Sequence, residues 1–441
     1  MRRNLTCAVT ASAFSFCLAL AGAASIAATP ASAHGFRVIY TFCKDGGDCL
    51  EGAGPEGLVE DANGNFYGVA YSGGASKYYG VAYELERTAK SQYKYKVLYN
   101  FGATIDDAAG HVGSLVLDTA GDLFGAAGGG THEGGAIFEL VPDKRHRNWM
   151  EQILYNFCSQ ENCTDGGGPD HGLTYAGAAS GALYDGKSPL FGVTFGTGGE
   201  GGGAPSVAYE LQPGAGFQLL HTFGSGGDGA GAIGPLAEDA SGNLYGETIQ
   251  GGAYTNAGVV YELSPAKNGY AETVLHTFCP GYPCADGATP ESGVVMDTSG
   301  NLYGTTYYGG ADCPVDGDVG CGVAYMVKPD GINSQETVLH TFCSSKHCAD
   351  GLNPVDPLFL DAQGNLFGTT LLGGNKVAPD GQGTLFEISG SNFQVLHKFC
   401  QQPNCTDGAN PDGAPIRDPK GRLFGTAGGG AGHGIAYELV P

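Results

Sequence analysis

Gly234-Pro-Leu-Ala-Glu-Asp239, Asn243-Leu-Tyr-Gly-Glu-Thr248, Gly258-Val-Val-Tyr-Glu-Leu263 and Glu272-Thr-Val-Leu-His-Thr-Phe278 follow one another within 45 residues. Each run is short and rich in β-branched, aromatic and aliphatic side chains, and Gly, Asn, Asp or Pro separates it from the next. That is the sequence form of four strands in an antiparallel meander, labelled A to D here. Asp239-Ala-Ser-Gly242-Asn243 joins A to B. The aspartate can accept turn amides and the glycine takes the positive φ of a tight hairpin, so this acid is a turn residue.

The same unit recurs along the chain. An aromatic-Gly pair stands at Tyr67-Gly68, Phe124-Gly125, Phe191-Gly192, Tyr245-Gly246, Tyr303-Gly304, Phe367-Gly368 and Phe424-Gly425, at spacings of 54 to 67 residues. An aromatic-Glu-Leu motif follows at Tyr83, Phe138, Tyr209, Tyr261, Phe386 (with Ile388 in place of Leu) and Tyr437, with Met326-Val327 replacing Glu-Leu after Tyr325. A third marker, a strand ending in Phe, falls at Phe42, Phe101, Phe157, Phe223, Phe278, Phe342 and Phe399. Four strands per period of this length match one blade of a propeller. The fold class expected is therefore all-β, a seven-bladed β-propeller with blades at about 55–101, 113–157, 172–223, 234–278, 293–342, 356–399 and 413–441. Phe36 to Phe42 is a strand D with no A, B or C before it, and Gly434 to Val440 is a strand C with no D after it. Pairing the two closes the ring and removes the exposed edges of an open array.

Units such as Gly242-Asn-Leu-Tyr-Gly246, followed by Gly251-Gly252 and Gly258-Val-Val-Tyr-Glu-Leu263, resemble the GloVer tandem repeat of exported bacterial proteins, the choice-of-anchor repeat proteins. The resemblance covers essentially the whole chain after residue 33. It implies export and a propeller-like repeat, and it brings no catalytic residues to carry over.

Export is also written at the start of the chain. Arg2 and Arg3 form a basic n-region, Leu5 to Ala28 is apolar and small, and Ala31-Ser32-Ala33 is an A-x-A cleavage site, so residues 1–33 read as a signal peptide. No later stretch is apolar enough to span a bilayer, which predicts a secreted, periplasmic or cell-surface protein without membrane insertion. Beyond the signal there remain 19 basic against 45 acidic side chains. That balance argues against nucleic acid as a partner, because a phosphate-binding surface needs a basic footprint. A glycan or an extracellular protein is the expected partner, and a monomer the expected state.

Comparison of the seven copies assigns the cysteines. Cys43 and Cys49, Cys158 and Cys163, Cys279 and Cys284, Cys343 and Cys348, and Cys400 and Cys405 lie in D to A loops, whereas the two other such loops carry Gly102 and Gly224 and no cysteine. Joint presence or absence marks bonded partners. Cys313 and Cys321 make a sixth pair inside the blade 5 B to C loop. Zinc would need four ligands, and no regular histidine accompanies each pair, so disulfides are expected.

The D to A and B to C loops of a propeller emerge on one face. There Asp165, Asp228, Asp286, Asp350 and Asp407, each followed by Gly, form a repeated set of carboxylates that could bind Ca²⁺ or a cationic ligand; the competing account is the Asp-Gly turn. The blade 5 insertion, with Asp312, Asp316 and Asp318, breaks the repeat and is the better candidate. His221, His276, His340 and His397 stand two residues before the strand D Phe, where other copies carry Tyr, and read as packing between blades. The chain contains no H-E-x-x-H, G-x-S-x-G or P-loop signature. No resident cofactor is expected beyond such a cation. The expected function is that of an exported non-catalytic recognition or structural protein, binding glycan or a protein surface through the loop-bearing face. The alternative is a polysaccharide hydrolase or lyase, whose mark would be an acid pair at the channel mouth unmatched in other blades.

Overall fold

The three sequence markers turn out to be one packing unit. In the computed structural model, residues 35–441 are described apart from 45, 89–91, 105, 170–171, 197–202, 225–226, 254–255, 268, 311–319, 375–381 and 431. The strands form seven antiparallel sheets. In blade 4 these are Ala230–Glu238, Leu244–Gln250, Val259–Ala266 and Gly269–Thr277, paired in chain order. Strands A and D both start earlier than their side-chain pattern indicates. Ala230 pairs with Gln250 and Gly269 with Ala266, so backbone ladders extend past the apolar runs.

Within each blade, strand B glycine lies opposite the strand C aromatic, as Gly246 does to Tyr261. The ring covers the glycine so closely that a Cβ at Gly192, Gly246 or Gly425 would lie 2.4 Å from the hydroxyl of Tyr209, Tyr261 or Tyr437. At Gly125 and Gly368 it would meet Cζ of Phe138 and Phe386 at 2.5 and 2.6 Å. No larger residue fits, which is why the aromatic-Gly pair recurs unchanged. From the neighbouring blade the strand D Phe then packs edge-on against the same aromatic. Phe278 meets Tyr325 at 5.1 Å, Phe342 meets Phe386 at 5.2 Å and Phe399 meets Tyr437 at 5.4 Å between ring centroids. Each such pair joins two blades through fully buried aromatic surface, the largest source of burial energy available to a chain with so many glycines.

The ring closes by the same contacts. Gly35–Thr41 pairs antiparallel with Ile435–Val440 and supplies the outer strand of blade 7. Phe42 donates its amide to Gly434 O at 2.9 Å and sets its ring 5.0 Å from that of Tyr83 in blade 1. Across the closing seam Gly54 N reaches His433 O at 2.7 Å, as Thr289 N reaches Ala257 O, Asn353 N reaches Cys321 O and Asn410 N reaches Gln382 O at 2.8 to 3.0 Å elsewhere. Arg37 on the closing strand pairs with Glu438 of the aromatic-Glu-Leu motif, and Arg422 joins the same carboxylate at 2.5 Å.

Strand A lies innermost, where the circumference is shortest, and its backbones nearly touch. A Cβ on Gly234 would come within 2.4 Å of Gly293, and one on Gly413 within 2.3 Å of the Gly57 amide. Small residues at this level are a geometric requirement. Blade 6 has Asp356 there instead, and its carboxylate accepts Gly413 N at 2.8 Å and Thr369 Oγ1 at 2.7 Å.

Candidate functional site

The D to A and B to C loops share one face, since Gly74 N donates to Cys49 O, Gly310 N to Cys284 O and Gly374 N to Cys348 O at 2.8 to 3.0 Å. Disulfides join Cys43 to Cys49, Cys158 to Cys163, Cys279 to Cys284, Cys343 to Cys348 and Cys400 to Cys405. The first cysteine of each pair has a left-handed backbone, with φ between 48° and 59°. The two loops without cysteine place Gly102 and Gly224 at that position with φ of 67° and 117°. Glycine is the residue that adopts this conformation without cost once the crosslink is gone. Cys321 is disulfide-bonded. Cys313, and with it Asp312, Asp316 and Asp318, lies outside the described residues.

The repeated aspartates face strand D. Asp165 accepts from Tyr155 Oη at 2.7 Å, Ser159 N at 3.0 Å and Ser159 Oγ at 2.8 Å, and it is buried. These donors hold its carboxyl below the usual range against the opposing cost of burial. Asp350 takes His340 at 3.2 Å with Ser344 N and Oγ, and Asp286 takes His276 at 3.1 Å with Cys279 N. Asp407 accepts Gln401 N at 2.8 Å and has His397 at 3.8 Å. Asp228 has His221 at 3.5 Å. The aspartate thus ties the loop back to the outer strand.

The histidines and tyrosines of strand D bridge adjacent blades, stacking on the ring opposite the aliphatic residue that ends the next blade's motif, Ile388, Leu439 or Leu211. His340 stacks on Phe393 at 3.6 Å, His397 on Phe36 at 3.7 Å and Tyr155 on Phe217 at 4.1 Å. After His221 and His276 that position is instead Glu272 and Glu336.

A different set of residues lies near the inner strands on the loop-bearing side. Strand B ends on that face, and the third residue after its marker glycine is aromatic in blades 1, 3 and 5: Tyr71, Phe195 and Tyr307. Tyr71 is 41% exposed and Phe195 42%. Tyr71 lies directly over strand A, with Cε1 1.9 Å from where a Gly54 Cβ would be. Phe195 and Ile249 flank Gly231 of blade 4 in the same way, at 3.2 and 3.0 Å from its Cβ position. Burial pushes the Tyr71 hydroxyl up, and the carboxylates of Asp412 and Glu56 raise it further. Those two acids come from adjacent inner strands, each immediately before the glycine where blades 7 and 1 touch. Glu56 is buried and Asp412 half-buried. Sequence comparison overlooks this group because each member reads as one more strand residue. The signal that could have found it is the aromatic replacing Gly128 or Gly428 at one register position.

Glu247 is an acid of another kind. It is fully buried between blades 4 and 5, accepts Gly293 N at 2.7 Å and the Tyr325 hydroxyl, and is pushed up to about 7 by burial. Its contacts are those of an inter-blade fastener.

A closed ring of seven four-stranded blades with a disulfide-stitched loop face defines a seven-bladed β-propeller. The repeat described as the Gloeobacter/Verrucomicrobia repeat matches residues 178–437, and the chain belongs to that family. No individually curated protein sequence matches it. Among solved structures it is similar to the extracellular domain of a hybrid two-component system from B. thetaiotaomicron, with 10% identity, 91% of this chain and 39% of that one covered, and a TM-score of 0.53. The extracellular domain described as that of a one-component system from the same organism gives 10% identity, the same coverages and a TM-score of 0.52. The chain thus spans about two fifths of the length of these structures. An α-L-arabinanase of Penicillium chrysogenum in complex with arabinobiose aligns at 13% identity over 74% of this chain and 91% of that one, with a TM-score of 0.44. Among the described residues no helix is long and apolar enough to cross a membrane. The local disulfides agree with an oxidising, extracellular location.

Proposed function

We propose that this propeller is an exported recognition protein that binds carbohydrate, without turning it over, at the loop-bearing mouth of its ring. The observation that carries the reading is the pair of exposed aromatic rings, Tyr71 and Phe195, set over the inner strands of blades 1 and 4. A flat apolar ring offers a stacking surface to a sugar face, and carboxylates beside it accept hydroxyl protons. Asp412 and Glu56 stand near Tyr71 in that capacity. The strongly acidic balance of the chain agrees with a neutral or cationic polymer rather than a polyanion.

A glycan array and polysaccharide pull-down with residues 34–441 test this. Tyr71→Ala and Phe195→Ala should each weaken retention at least tenfold with unchanged thermal unfolding. Undiminished retention by both variants would overturn the aromatic platform.

One observation favours a second reading, a polysaccharide-active hydrolase. Glu56 and Asp412 are acids on neighbouring inner strands of the kind a two-carboxylate mechanism uses. Release of sugar fragments by the parent protein, abolished by Glu56→Gln and by Asp412→Asn, would establish it in place of simple binding.

A further inference from the structure

The seam between blades 3 and 4 combines two departures from the common pattern, the second of them shared with the seam between blades 4 and 5, where His276 and Glu336 stand. Its D to A loop carries Gly224 and no disulfide. Its ring pair is replaced by a histidine and a carboxylate: His221 on strand D of blade 3, Gly216–Thr222, and Glu272 on strand D of blade 4, Gly269–Thr277. Asp228, from the loop between the blades, completes a set whose ligand atoms all lie within 4.8 Å of one another.

Two of these atoms, His221 Nε2 and Glu272 Oε1, are buried and have no hydrogen-bond partner among the described residues. His221 Nε2 stands 3.5 Å from Asp228 Oδ2, whereas the corresponding His276 and Asp286 atoms are 3.1 Å apart and bonded. Two ligands on one tetrahedral ion, each at about 2.1 Å, are separated by about 3.4 Å. The wider spacing fits a shared ion better than a shared proton.

We propose that His221, Asp228 and Glu272 bind one divalent first-row ion, Zn²⁺ by preference, that clamps blade 3 to blade 4. One imidazole nitrogen and two carboxylate oxygens suit Zn²⁺, whereas Ca²⁺ wants six or more oxygens. The three ligands come from both outer strands and the connecting loop. The ion therefore crosslinks the elements that a loop disulfide stiffens in blades 2, 4, 5, 6 and 7.

The test is equilibrium dialysis of metal-stripped residues 34–441 against Zn²⁺ and, separately, Ca²⁺, with thermal unfolding followed in parallel. One equivalent of Zn²⁺ should bind and raise the unfolding midpoint, and Ca²⁺ should do neither. Glu272→Gln should weaken Zn²⁺ binding at least tenfold. Glu336→Gln, its counterpart in the next seam, should leave binding unchanged. The double change His221→Tyr with Glu272→Phe installs the ring pair used by Tyr155 and Phe217, keeping the seam packed while abolishing binding and the midpoint shift. Failure to bind Zn²⁺, or equal loss on Glu336→Gln, overturns the site.

Discussion

Ser206 Oγ accepts the amide proton of Ala232 at 2.8 Å across the seam between blades 3 and 4. Five other seams, the closing one included, set a glycine against a proline there. A Cβ at Gly434 would lie 2.2 Å from Pro55 Cδ, and Gly135, Gly258, Gly322 and Gly383 face Pro169, Pro290, Pro354 and Pro411 at 2.2 to 2.9 Å. Proline has no amide hydrogen to satisfy; Ala232 has one, and Ser206 takes it. Ser206→Ala should cost about 1–3 kcal/mol by orphaning that donor. Ser206→Gly with Ala232→Pro should recover most of the loss, measured by urea unfolding. Gly434→Val should destabilise more strongly, because the closing seam has no room for a side chain.

The buried tyrosine hydroxyls of strand C are not equivalent. Tyr209 Oη is buried with no hydrogen-bond partner among the described residues, whereas Tyr325 donates to Glu247. Blades 2 and 6 use Phe138 and Phe386 at this position. Tyr209→Phe should therefore be neutral or stabilising by up to about 1 kcal/mol. Tyr325→Phe should destabilise by about 2 kcal/mol through the buried Glu247 Oε1 that loses its donor. Opposite signs in calorimetry are the result to look for.

Acid should loosen the seam between blades 6 and 7. Burial against Phe36 holds His397 down to about 4, from an ordinary 6.5. The unfolded chain binds this proton at higher pH than the folded ring does, so stability falls as pH drops from about 6.5 to about 4. The whole effect is at most about 3 kcal/mol. His397→Phe should flatten that part of the stability profile, with denaturant titrations at pH 7 and pH 4.5 as the check.

Loss of the closing strand should matter more than loss of a loop disulfide. Deleting residues 35–42 removes the strand paired with Ile435–Val440, the Phe36 and Phe42 contacts and the Arg37 ion pair, and leaves a strand edge bare. Aggregation on purification is the expected outcome. Replacing Cys400 and Cys405 with Ser should cost about 2 kcal/mol and leave a folded monomer by size exclusion.

The architecture was legible in the sequence because it repeats. Gly246, Tyr261 and Phe278 recur in every blade since each occupies a position where geometry admits one kind of side chain. The paired absence of cysteines at Gly102 and Gly224 likewise reported a bond. The mouth was not legible, for the opposite reason. Tyr71, Phe195, Glu56 and Asp412 are separated by up to hundreds of residues, and only the curvature of the ring brings inner strands of blades 7 and 1 together. The aspartates at 165, 286 and 350 were visible as a repeated set. What they bond to depends on strand D turning a Tyr or His toward them, which spacing alone does not reveal.

Gly35 and Val440 are cross-strand neighbours at the start of strand D and the end of strand C in blade 7. Both therefore lie on the face opposite the D to A and B to C loops. In blade 7, strand D begins and strand C ends on that back face. A tether attached there would hold the ring like a dish on a short stem, with Tyr71, Phe195 and the stitched loops turned toward whatever approaches from outside.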